Sequence, residues 1–173
     1  MNVNSIATRR LTVNAAFLKD IKDDNRDLKI LVDRLRHLTQ PHPTASHHWP
    51  ELVRLLADFR DQLAMHFGLE EAYGYFDSAI DADAELSCVA ESLKLQHASL
   101  FESARHLAET ADDIGKARPD DAEIIEGKTP ELTPAQEKVL ARLDRFLFDF
   151  HRHEEAELKL ILDALDEDLG GGD

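Results

Sequence analysis

The sequence predicts an all-α fold, an up-down-up-down four-helix bundle, and three observations carry that expectation. Apolar residues recur at helical spacing in four long segments. The breaks between the first three segments are short, which makes consecutive helices antiparallel neighbours. The 173 residues include only 7 Gly and 6 Pro against 43% hydrophobic and 32% charged residues, a composition that argues against both disorder and a turn-rich β fold. The length suits one domain, expected over residues 13–168 with flexible termini at 1–12 and 169–173.

The first helix is expected from Val13 to Thr39, where Phe17, Ile21, Leu28, Val32 and Leu35 share a face, and it stops at the Pro41/Pro43 break. Pro50 suits the first turn of the second helix, whose stripe of Leu52, Leu56, Phe59, Leu63, Leu69, Tyr73 and Phe76 is expected to continue toward Ile80. An acidic stretch from Asp81 to Glu85 then precedes a third helix capped by Ser87, with Val89, Leu93, Leu100, Ala104 and Leu107 as its stripe. Periodicity disappears between Asp112 and Thr133, the longest predicted loop. Thr133-Pro134-Ala135-Gln136 is a capping box, and Leu140, Leu143, Leu147, Phe150, Leu158, Leu162 and Leu165 define the fourth helix before the glycines at 170–172.

Acids outnumber bases 35 to 20, for a formal charge of -15, so the average field repels phosphate backbones and anionic lipid headgroups and no nucleic-acid role is expected. Cys88 is the single cysteine, which excludes an intrachain disulfide and a thiolate zinc site and fits a cytoplasmic protein. No run approaches the ~18 apolar residues of a membrane span, so no membrane role is expected.

The polar residues that interrupt the apolar stripes point to chemistry. Extending Leu52, Leu56, Phe59, Leu63 by three and then four puts His66 and Glu70 on the core face of the second helix. The series Leu140, Leu147, Leu158, Leu162 does the same for His151 and Glu155 on the fourth. His97 lies between Leu93 and Leu100, and Asn25 between Ile21 and Leu28. These positions fall near mid-helix and converge at one level of an antiparallel bundle. Buried carboxylates are costly unless paired or bound to a cation, and a mixed nitrogen and oxygen donor set without thiolate suits iron, with manganese or zinc possible. Glu71, His153 and Glu154 are expected beside the site or at the surface, and His106 is expected to face away from it. A metal-free His–Glu network that fixes bundle register is the competing reading.

The segments His66-Phe-Gly-Leu-Glu70-Glu71 and His151-Arg-His-Glu-Glu155, with His97 between them, resemble the hemerythrin family, in its bacterial form the HHE cation-binding domain. The likeness runs from about Val13 to Leu165. It implies a four-helix bundle around a non-haem di-iron centre, with Glu70 and Glu155 as bridging carboxylates and His66, His97 and His151 as terminal ligands. The His-before-Glu order at spacing four separates it from the Glu-x-x-His signature of ferritin-like proteins. Two positions depart from the family pattern, since Asn25 and Phe101 stand where further histidines are expected. The resemblance implies binding, sensing or handling of O2, peroxide or redox state, and open positions at Asn25 and Phe101 favour sensing or peroxide-type reactivity over reversible oxygen carriage. A binding role is expected ahead of an enzymatic one, with a di-iron oxidase or peroxidase as the alternative, and a single-metal or vestigial site also fits these departures.

Overall fold

A computed structural model describes residues 26–39, 48–82, 84–117 and 131–170, and among them there is no strand. The helices are α1 over 26–39, α2 Trp49–Tyr73, α3 Asp77–Ala82, α4 Ala84–Lys116 and α5 Pro134–Gly170. The architecture is an all-α four-helix bundle in which α1, α2, α4 and α5 are the long members and α3 is a short addition. The expected helical residues 13–25, Asn25 among them, the Pro41/Pro43 break and most of the loop after α4 lie outside the described residues. No helix among the described residues is long and apolar enough to cross a membrane.

Side-chain contacts fix the antiparallel order. Arg34 near the end of α1 pairs with Glu51 in the first turn of α2 at 2.9 Å. The indole of Trp49 at the start of α2 donates to the Ala111 carbonyl near the end of α4 at 3.2 Å. Gln96 in the first half of α4 meets His153 in the second half of α5. Both α2 and α5 pack along α4, while α3 packs on α4 and α5.

Local sequence explains the helix ends. Thr133 and Gln136 form the expected capping box, the Gln136 N–H donating to Thr133 Oγ1 at 3.3 Å and the Thr133 N–H to Gln136 Oε1 at 2.9 Å. The second helix stops at Tyr73 rather than continuing toward Ile80, because Gly74 adopts the left-handed conformation with φ 67°. The Tyr75 N–H then bonds the Glu70 carbonyl at 3.0 Å, the six-to-one bond of a Schellman turn, and α3 follows. The third long helix starts at Ala84, ahead of the expected cap at Ser87.

Two apolar clusters are buried. The larger joins Leu28, Val32 and Leu35 of α1 to Leu52, Leu56, Phe59 and Leu63 of α2, Leu100 and Leu107 of α4, and Val139, Leu143 and Phe150 of α5. Phe59 anchors it with edge-to-face contacts to Phe146 and Phe150, at centroid distances of 5.7 and 5.9 Å. The smaller comprises Phe76, Ala79, Ala90, Leu93, Leu160 and Ala164, beneath α3. On α4 and α5 the chain passes from one cluster to the other through a polar layer, between Leu93 and Leu100 and between Phe150 and Leu160.

Candidate metal centre

That layer holds five buried polar residues, each 2 or 3% exposed: His66 and Glu70 on α2, His97 on α4, and His153 and Glu157 on α5. Each pair on α2 and α5 is four residues apart, so its two side chains lie one above the other on a single helix face. Phe67 forms the apolar wall, its ring stacked on His97 at 4.1 Å between centroids and set edge-on to His153 at 5.8 Å. The Gly74 turn closes one end by bringing Phe76 to 5.9 Å from His97.

The carboxylates stand between the imidazoles. Glu157 Oε1 is 3.1 Å from His97 Nε2 and 2.9 Å from His153 Nε2. Glu70 spans the other side, with Oε1 3.4 Å from His66 Nε2 and Oε2 3.6 Å from His97 Nε2. Two trios, His97/His153/Glu157 and His66/Glu70/Glu157, each bring three donor atoms within 4.8 Å of one another and could hold a metal ion, with Glu157 common to both. The outer nitrogens are held from behind. His97 Nδ1 donates to Glu71 Oε1 at 3.2 Å, and His153 Nδ1 donates to Gln96 Oε1 at 3.3 Å. Such contacts set ring orientation and leave Nε2 facing the cluster. His66 Nε2 also lies 3.2 Å from Glu154 Oε1.

The donor set passes a physical test for a cation. His153 Nε2 is buried and makes no hydrogen bond, although Glu157 Oε1 lies 2.9 Å away. A cation shared by this nitrogen and the carboxylate oxygen, a proton or a metal ion, satisfies both groups. Burial alone would raise the Glu157 pKa, but the His153 and His97 rings outweigh it and hold the carboxyl below its ordinary value. The Tyr75 phenol is pushed up, first by burial and then by the negative field of Glu70, Glu157 and Glu154.

The structure brings together three of the five residues expected at the site, His66, Glu70 and His97, and separates the other two. His151 and Glu155 are a surface pair 3.4 Å apart, with side chains 53% and 65% exposed. The correction is one of helix phase. The buried face of α5 runs Val139, Leu143, Phe146, Phe150, His153, Glu157, Leu160, Ala164, in unbroken steps of three or four. The stripe through Leu158 and Leu162 is exposed, at 58% and 53%, and on the third long helix Val89 is exposed as well. Steps of three and four from Phe146 and Phe150 reach His153 and Glu157, the signal by which the sequence could have located them. Glu71 and Glu154 take the supporting places expected of them, and His106 is exposed. Phe101 packs half-buried against the larger cluster. The chain matches no family model, no curated protein and no solved structure.

Proposed function

We propose that this chain is a hemerythrin-like cation-binding protein whose buried His/Glu layer holds two iron ions and which binds, senses or handles oxygen, peroxide or redox state. One observation carries the reading: Glu157 is common to two trios that could each hold a metal ion, all of their residues buried. In this reading His97, His153 and Glu157 would hold one ion and His66, Glu70 and Glu157 the other. The nitrogen and oxygen donors favour iron or manganese, and the lone thiol, Cys88, is exposed and has no part in the site. Bound iron would supply redox chemistry and positions for small exogenous ligands. The chain's own residues orient it, with Glu71 and Gln96 holding the two rings and Phe67 and Phe76 excluding water.

Anaerobic loading with ferrous iron followed by elemental analysis tests this reading, with about two ions per chain expected because two carboxylates need compensation. A visible spectrum that changes on exposure to air or peroxide is expected from the loaded protein. Absence of bound metal after loading would leave a hydrogen-bonded polar core and refute the proposal.

A further inference from the structure

Outside the metal layer, a groove of about 720 Å³ runs along the surface between α4 and α5. We propose that it binds a small organic polyanion, a metabolite-sized molecule carrying two or more carboxylate or phosphate groups. Its volume falls within the range of small-molecule sites, ~300 to 1,000 Å³.

The charge of its lining runs against that of the chain. Acids outnumber bases 35 to 20 overall, yet the groove is lined by Arg142, Arg145 and Arg152 with Asp149 as the one acid. Asp149 is engaged by Arg145 at 3.3 Å. Arg142 and Arg152 make no ion pair among the described residues, whereas Arg54, Arg105, Lys116 and Lys159 elsewhere each hold a carboxylate one turn away. Steps of three and seven keep the three guanidinium groups on one face of α5, with Arg142 and Arg152 about 15 Å apart along the axis. Long arginine side chains reaching toward each other along the groove can bring their forks to the two ends of one small ligand, and guanidinium binds carboxylate or phosphate in bidentate fashion.

The rest of the lining argues against an apolar occupant. Leu100, Leu107, Val139 and Phe146 form the floor and are at most 9% exposed, so an acyl chain or an amphipathic helix would bury little new apolar surface. The hydroxyls of Ser99, Ser103 and Thr110 donate to backbone carbonyls of their own helix, which leaves recognition to the arginines. At one end the lining includes the exposed Gln96, whose Oε1 meets the buried His153 ring, so a bound anion would lie one contact from the metal layer. Only that coupling rests on the metal reading; the anion site does not.

Calorimetric titration of the full chain, freed of divalent ions, with citrate and separately with pyrophosphate tests the proposal. Saturable binding of at least one probe is expected, weakened about tenfold or more by Arg142→Ala combined with Arg152→Ala. Arg54→Ala, on α2, should bind as the parent does. Preference for pyrophosphate would identify a phosphate ligand, and preference for citrate a carboxylate. Both arginines are exposed, and an unchanged helical circular dichroism spectrum confirms that the double variant is folded. No saturable binding of either probe, or equal affinity in the double variant, would overturn the proposal. Because the protein is metal-free throughout, failure to load iron would leave this result standing.

Discussion

Replacing His153 and His151 separately with alanine asks which face of α5 meets the metal. The two residues are two positions apart on one helix, yet His153 is buried with its Nε2 2.9 Å from Glu157, while His151 is exposed and pairs with Glu155 at 3.4 Å. A ligand that binds the folded state alone stabilises it by RT ln(1 + [L]/Kd), ~2.7 kcal/mol at a hundredfold excess over Kd. For a chain of this size each kcal/mol raises Tm by ~2 to 4 °C, so the parent protein should melt about 5 to 11 °C higher with saturating ferrous iron than without it. His151→Ala should keep that increment. His153→Ala takes one of three ligands from the His97/His153/Glu157 trio and should lose most of that ion's share, and Glu157→Gln, which weakens both trios, should abolish the increment. The assay is differential scanning fluorimetry under anaerobic conditions, read for each variant as the difference between loaded and metal-free curves. That difference cancels the separate cost of the cavity left by a buried imidazole. If His151→Ala lost the increment and His153→Ala kept it, the phase of α5 derived above would be wrong.

Two further outcomes follow from the geometry. Gly74→Ala should destabilise the fold by ~1 to 2 kcal/mol, the cost of a left-handed L-residue, because Gly74 has φ 67° and a Cβ there would also collide with the Asp77 carboxylate; urea denaturation measures it, and an unchanged midpoint would contradict the turn's role. Protons compete with metal for imidazole and carboxylate ligands, so retention at pH 5 should fall below that at pH 7.5, and pH-independent retention would exclude histidine ligation.

Much of the bundle was legible without coordinates. Helix periodicity, the Pro50 start and the Thr133–Gln136 capping box are local features, set by side chains acting on backbone within one turn, and the structure repeats them. His66, Glu70 and His97 could be placed because the apolar residues flanking them, Leu52, Leu56, Phe59 and Leu63 on α2 and Leu93 and Leu100 on α4, are all on the buried face.

The fourth helix is different, since in its second half leucines occupy two nearly opposite faces, Leu158 and Leu162 on one and Leu160 on the other, and the sequence alone gives both a claim on the core. Burial chose Phe146, Phe150, Leu160 and Ala164 because those positions meet partners from α3 and the other long helices, while Leu158 and Leu162 are more than half exposed among the described residues. A rotation of ~100° per residue turns that choice into the exchange of His151 and Glu155 for His153 and Glu157. The turn at Gly74 shows the same limit, because a glycine inside an apolar stripe is compatible with a continuing helix until packing decides otherwise. Once the chain reverses there, Phe76 lies over His97. The amino-acid sequence determined which residue types could build a metal layer and at what depth on each helix. Tertiary packing decided which of two nearly opposite faces pointed inward, because hydrophobic burial depends on the partner surface as well as on the residue.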